Sequence, residues 1–371
     1  MRLHLTPIAV VLALLHVYIG LRLLIPFGPE ARIVGAAALF ACFWWLPKGW
    51  HVRNDRRPWA VLLPWITMGF FSWLLVLTAV RDVSVAVLAL VVAPEVLDAW
   101  IRASAIAVVA LVPAITLAGF LMARRVATVK DVEVRLPGLP VALEGFTIAQ
   151  ISDIHVGPTI KRDFVQGIVD RVNRLEADLV AITGDLVDGS VRELAHHTEP
   201  LGDLLSRHGT YVVTGNHEYY SGAGAWIGEL RRLGARVLMN EHVVLEHDGA
   251  RLTLAGVTDY SAHHFDPSHR SDPHAAAAGA PRDVLKVLLA HQPLSADFAQ
   301  KAGFDLQLSG HTHGGQFWPW NLFVRLSQPF TAGLHRLGDM WIYISRGTGY
   351  WGPPMRFGIP SEITRIRLVK A

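Results

Sequence analysis

Residues 5–123 are mostly apolar and carry few charges, and this stretch limits what the chain can become more than any other feature does. A membrane-spanning helix needs about 20 mostly apolar residues. Segments 5–26, 58–80 and 103–123 meet that length, and 32–47 is shorter but rich in Ala, Phe and Trp. One such run alone also fits a buried core helix. Four in succession predict an all-α transmembrane region of about four helices. Segment 85–93 is apolar too, but at about nine residues it is too short to cross as a helix and is expected to be re-entrant or interfacial. The first run is not expected to be a cleaved signal. Its basic start is weak, it has no small-residue cleavage site, and three more apolar runs follow it.

From Arg124 onward the 371-residue chain reads as a soluble α/β protein, so the expected division is 1–125 and 126–371. The histidines divide the same way: of 18, only His4, His16 and His51 precede residue 124. An ionisable ring is costly inside a bilayer, whereas a metal-binding half needs it. Cys42 is the single cysteine, so any metal must be held by His, Asp, Glu or Asn. The net charge of +3, without a basic stripe, gives no reason to expect a nucleic-acid partner. Lys48, Arg53, Arg56 and Arg57 lie between the second and third runs, and Arg124, Arg125 and Lys130 follow the fourth. With four spans both groups fall on one side, which the positive-inside rule makes the cytoplasm, and the soluble half goes with them. Trp44, Trp45, Trp59 and Trp65 sit near run ends, where Trp is expected at the membrane–water interface.

In the soluble half, strand-like apolar runs repeatedly end in polar clusters. Segment 126–136 alternates and reads as a first strand, and 164–175 has helical spacing. Strand 146–151 ends at Asp153-Ile154-His155, and 179–183 at Gly184-Asp185-Leu186-Val187-Asp188. Strand 210–214 ends at Gly215-Asn216-His217-Glu218, 284–290 at His291, and 305–309 at Gly310-His311-Thr312-His313. Segments 341–345 and 362–368 close the chain as strands. Layered α/β proteins bind ligands at the carboxyl ends of strands. Each cluster alone is weak: Gly-Asp is an ordinary turn signal, and a lone His after a strand is usually structural. Five in order, each at a strand end, are a pattern. Segment 263–281, with His263, His264, His269 and His274, reads as a polar, mobile loop, and Glu218 reads as an exposed surface acid.

Together the five clusters resemble the blocks of the calcineurin-like metallophosphoesterases. The tail Ser345-Arg346-Gly347-Thr348-Gly349 and Gly352-Pro353-Pro354-Met355-Arg356 is similar to the membrane-attached bacterial branch of that family. The resemblance runs from Gly145 to the C-terminus. It implies an α/β fold, a four-layer α-β-β-α sandwich, and two divalent metal ions. One ion would take Asp153, His155 and His313, the other Asn216, His291 and His311, with Asp185 bridging. Imidazole, carboxylate and amide donors suit Mn, Zn or Fe. Such a pair clamps a phosphoryl group and turns a bridging water into a hydroxide that attacks in line. By the same likeness His217 is the general acid, and Asp188 would orient it by a hydrogen bond, a turn cap being its plainer role. Arg346 and Arg356 are candidates for bidentate phosphate contact or for surface salt bridges.

Phe317-Trp318-Pro319-Trp320 and Tyr350-Trp351 place apolar surface beside these blocks, as core packing or as a membrane or ligand contact. The expected partners are therefore the lipid bilayer and a phosphate ester, in particular a phosphodiester on a phospholipid or lipid-linked headgroup, in a bacterial-type inner membrane. Two other classes compete. A catalytically silent scaffold would have lost part of the donor set. A transporter or sensor would need an ion pathway, which His16 and Arg22 do not suggest.

Overall fold

The computed structural model of the chain describes residues 7–50 and 58–371, apart from the side chains of Trp50 and Pro58. Arg53, Arg56 and Arg57 of the expected basic loop, with His4 and His51, lie outside the described residues. The chain divides into two units, Met1–Met122 with Gly352–Met355, and Ala123–Trp351 with Arg356–Ala371.

The first unit contains α1 (Pro7–Leu23), α2 (Pro29–Trp45), α3 (Pro58–Leu88) and α4 (Pro94–Ala123). Among the described residues three helical stretches are long and apolar enough to cross a membrane: Pro29–Gly49, Trp59–Leu88 and Pro94–Ala123. Helix α1, with 17 residues, is shorter; at 1.5 Å per residue it spans about 25 Å, against a hydrocarbon core of about 30 Å. The four expected spans are thus four helices, of which three have crossing length. Segment 85–93 is no separate re-entrant piece. Its first residues complete α3, and the rest turn into α4. The apolar run meets no helix breaker until Pro94, and proline is well suited to the first turn of the next helix. Arg22 and Arg81 both pair with Asp82, as a low-dielectric setting favours. Asp82 of α3 accepts hydrogen bonds from Tyr18 Oη and Arg22 Nε of α1, both at 2.7 Å. Arg81 donates to the Ile101 carbonyl of α4 at 3.0 Å.

The second unit is a sandwich of two six-stranded sheets. The first has the order β1-β12-β2-β3-β4-β5, from Thr128–Leu136, Glu362–Lys370, Thr147–Ile151, Leu179–Ile182, Thr210–Val212 and Arg236–Val237. The second has the order β10-β11-β9-β8-β7-β6, from Gly333–Leu337, Met340–Ile344, Leu306–Ser309, Leu285–Leu289, Ala250–Gly256 and Glu241–His247. Strands β2, β3 and β4 run parallel, as do β7, β8 and β9. The parallel strands are short and almost wholly apolar because both their faces are covered. Inward side chains such as Ile148, Leu179, Leu254, Leu289, Leu308 and Ile366 form the core between the sheets. On the outer face of the first sheet, Ile151 and Ile182 meet α5 (Arg162–Asn173), α6 (Val191–Thr198) and α8 (Ala223–Arg232). A short helix, α7 (Asn216–Ser221), precedes α8. On the outer face of the second sheet, Leu288 and Ile342 meet α9 (Pro273–Ala277) and α10 (Ala296–Lys301). The result is the α-β-β-α layering that the resemblance implies.

Segment 263–281 differs from its expectation. It holds two 3-10 turns and α9, not a structureless loop. Asp266 accepts from the Ser268 N–H at 2.9 Å and Asp272 from the Ala275 N–H at 3.0 Å, so two helix starts are capped by their own side chains. Ala276 is fully buried against the second sheet.

Candidate metal centre

Asp153, Asp185 and Asn216 follow the carboxyl ends of β2, β3 and β4. His291 follows β8, and His311 and His313 follow β9. Both sheets therefore feed one end of the sandwich. Gln150 ties that end together: its amide donates to Thr183 Oγ1 and to the Ser309 carbonyl, each at 2.9 Å.

Among the candidate ligands, Asp153 (φ 54°), His155 (56°), Asp185 (53°), His311 (70°) and His313 (50°) all occupy the left-handed region. Non-glycine residues held there cost on the order of 1–3 kcal/mol each and cluster at functional sites. Two glycines make the close approach of these loops possible. A Cβ on Gly310 would lie 2.0 Å from Ser152 Oγ and 2.3 Å from Asp153 Oδ2, and one on Gly215 only 2.1 Å from Asp185 Oδ1.

Three overlapping trios bring donor atoms within 4.8 Å of one another: Asp153, His155 and His313; His155, Asp185 and His217; Asp185, His291 and His311. His155 Nε2 faces His313 Nε2 at 3.0 Å and Asp185 Oδ2 at 3.9 Å. His291 Nε2 lies 3.1 Å from Asp185 Oδ2 and 3.2 Å from His311 Nδ1. The His291 Nδ1–H donates to the Thr183 carbonyl at 2.7 Å, which turns the Nε2 edge of the ring toward the cluster. The Asn216 amide oxygen is buried and finds no hydrogen-bond donor. Its chain neighbour His217 donates its backbone N–H to Asp185 Oδ1 at 2.9 Å, which keeps Asn216 at the cluster. An orphaned buried oxygen among inward-facing imidazoles and carboxylates is the donor set of a divalent cation. The site binds divalent metal.

His217 lies at the rim. Its Nδ1 is hydrogen-bonded to Asp188, while Nε2 lies 4.0 Å from Asp185 Oδ2. Asp188 also accepts from His155 Nδ1 at 3.2–3.3 Å, so one carboxylate orients two rings, beyond the single bond expected of it. Burial works against a charged His217, but the Asp188 hydrogen bond and the nearby carboxylates outweigh it and push it up to about 9. Burial opposes ionisation of Asp185 too, yet His291, His217 and His155 hold it well below the usual carboxylate range. Burial, with His291 beside it, brings His311 down to about 3. Burial and the neighbouring His155 and Arg356 likewise depress His313. The neutral imidazole these two favour is the form that ligates metal.

Two expectations are corrected. Glu218 is buried, not an exposed acid. It accepts the backbone N–H groups of Asp185 (2.9 Å), Leu186 (2.7 Å) and Gly215 (2.6 Å). Arg356 is fully buried, so it forms no surface salt bridge. It donates to the carbonyls of Gly349, His313 and Arg346 and lies 3.0 Å from His313 Nδ1, bracing that ring from behind. Arg346 is half-buried, its Nε 3.8 Å from Glu362.

Comparison with known proteins agrees with the fold. The family model for "Calcineurin-like phosphoesterase" matches residues 146–315. "Transmembrane protein with metallophosphoesterase domain" from Danio rerio is 40% identical over 261 residues, covering 68% of this chain and 60% of the relative. An "Uncharacterized metallophosphoesterase" of Helicobacter pylori (strain J99) is 43% identical over 228 residues, 60% of this chain and 59% of that one. Another from Aquifex aeolicus is 33% identical over 223 residues, 60% of this chain and 84% of that one. The chain belongs to the calcineurin-like phosphoesterase family. It spans about 60% of the length of the vertebrate relative, whose likeness shows that the shared sequence is not confined to bacteria.

Proposed function

We propose that the chain hydrolyses a phosphate ester at this centre, with two divalent cations, Mn, Zn or Fe. Asp153, His155 and His313 would hold one, Asn216, His291 and His311 the other, and Asp185 would serve both. The observation that carries this reading is the convergence of these side chains from both sheets, five of them in left-handed backbone. Bound there, such cations supply Lewis-acid neutralisation of phosphoryl charge and a lowered pKa for water. The chain's own residues do the rest. Asp188 accepts the His217 Nδ1–H and so aims the opposite nitrogen toward the cluster, 4.0 Å from Asp185 Oδ2. The same carboxylate favours the charged ring at neutral pH, so Nε2–H is available to protonate the leaving oxygen.

The finer reading is a phosphodiester on a phospholipid or lipid-linked headgroup. The apolar rim at Trp351 supports it, since its ring lies 5.6 Å from that of His217. The three crossing-length helices support a place in a membrane, taken in this reading as a bacterial-type inner membrane. Arg124, Arg125 and Lys130, which follow α4, support a cytoplasmic position for the hydrolase unit.

Leaving-group dependence tests the role of His217. With an alkyl phosphodiester, His217→Ala is expected to lower kcat by about 10²–10⁴-fold. With bis-p-nitrophenyl phosphate, whose phenolate departs unprotonated, the loss is expected to be much smaller. Equal losses on both substrates would remove His217 from the acid role.

A further inference from the structure

Between His313 and Asp339 the chain carries no acidic residue. Within that stretch two 3-10 turns, Trp320–Leu322 and Val324–Leu326, present large apolar side chains to solvent. Trp318 is 38% exposed, Trp320 41%, Leu322 63%, Phe323 52% and Leu326 84%. Single exposed apolar residues are ordinary, but a run this dense on a protein surface marks an interaction site. The run is coupled to the centre through short links. Gln316, three residues after His313, donates to the Trp351 carbonyl at 2.9 Å and accepts the Trp351 N–H at 2.8 Å. The Trp351 ring in turn packs edge-on against His217.

We infer that segment 318–326 inserts into the interfacial layer of the bilayer that holds the chain's own apolar helices, opening the centre toward phosphate esters at that surface. This deepens the phosphoesterase reading and rests on it for the substrate only. Three features select a bilayer as the occupant. The same chain supplies helices of crossing length, so a membrane is always within reach. The composition is interfacial: Trp suits the headgroup level, and Leu and Phe suit the acyl boundary. Exposed Arg325, with no acid nearby in sequence, complements anionic headgroups. A second copy of the chain is a poorer fit. A stable protein interface uses roughly 20–30 residues a side, well beyond this short segment.

The test uses the full chain with Cys42→Ala, reconstituted in phosphatidylethanolamine–phosphatidylglycerol vesicles. A single environment-sensitive fluorophore is attached through Leu326→Cys or, as control, through Val141→Cys, which is 86% exposed. Doxyl-labelled phosphatidylcholine in the bilayer is expected to quench the probe at 326 by about twofold or more and to leave the one at 141 unchanged. A probe at 326 that ignores the doxyl lipid overturns the inference. So does quenching that arises only from a spin-labelled second copy, which means self-association. As a second arm, Leu322→Ser/Phe323→Ser/Leu326→Ser is expected to keep turnover of bis-p-nitrophenyl phosphate while losing roughly tenfold or more on a vesicle-borne phosphodiester. Equal activity of variant and parent on the vesicle substrate counts against the inference. If the unmodified chain turns over neither substrate, the phosphoesterase reading fails instead, and the quenching result stands by itself.

Discussion

Three backbone N–H groups, those of Asp185, Leu186 and Gly215, converge on the carboxylate of Glu218. This acid touches no substrate, yet it joins the loop carrying Asp185 to the loop carrying Asn216 and His217. Burial and the charge of Asp185 push it up to about 7 against those N–H groups, which shows how closely the two acids crowd. Glu218→Ala would leave three buried donors without an acceptor, each worth about 1–3 kcal/mol. We expect it to lose on the order of 3 kcal/mol or more in denaturant unfolding and to weaken metal binding. Glu218→Gln, which keeps an acceptor oxygen, should fall between the two. An alanine variant as stable as the parent would show that water replaces the carboxylate. The sequence does hold a signal for this residue: a Glu three positions after a helix N-cap commonly reaches back to the cap N–H. Arg356 offers no comparable signal, because burial of a guanidinium depends on carbonyls contributed by Gly349, His313 and Arg346, and their meeting is a tertiary event.

The loop after β3 owes its shape to an element that carries no chemistry. Trp226 of α8 is fully buried, and its indole N–H donates to the Gly189 carbonyl at 2.9 Å, next to Asp188. Trp226→Ala is expected to cost about 3–5 kcal/mol through the cavity it leaves, and to lower kcat further by freeing Asp188. Trp226→Phe, which fills most of the volume, should retain most of the stability. Thermal melts beside steady-state kinetics distinguish the two effects, and unchanged kinetics in a folded Trp226→Ala would uncouple α8 from the site. The strands bearing polar clusters were legible because apolar run and cluster sit within a few residues of each other. β6 and β7 carry no such cluster. Even so, Asp248-Gly249 between them, both with positive φ, is a strong hairpin signal that the reading by clusters passes over. The run 85–93 misled for the opposite reason: hydropathy marks apolar stretches and not helix ends, and α3 stops at Leu88 inside this run before α4 starts at Pro94.

Candidate ligands come from both sheets, so metal binding and folding of the sandwich are linked. A ligand that binds only the folded form stabilises it by about 2.7 kcal/mol at a hundred times its Kd. Chelation of the detergent-purified chain is therefore expected to lower the Tm of the hydrolase unit, and Mn²⁺ or Zn²⁺ to restore it. Elemental analysis should find two equivalents per chain, falling in Asp185→Asn. A Tm indifferent to chelator would mean that the cluster holds no structural cation. The contrast between an apolar helical half and a histidine-bearing α/β half was legible in composition alone. How the imidazoles share Asp185 and Asp188 was not, because those distances are set by packing between residues far apart along the chain.

The left-handed backbone at Asp153, His155, Asp185, His311 and His313 has a bearing on how the chain can change over time. An alanine or valine drifting into one of these corners would forfeit a candidate ligand and keep the awkward torsion, with nothing in return. Glycine would relieve the torsion, but only by giving up the chemistry. Each corner is thus a ratchet: the side chain that justifies the contortion is the one that cannot be replaced. Substrate preference can wander in the rims and loops while these five positions stay where they are.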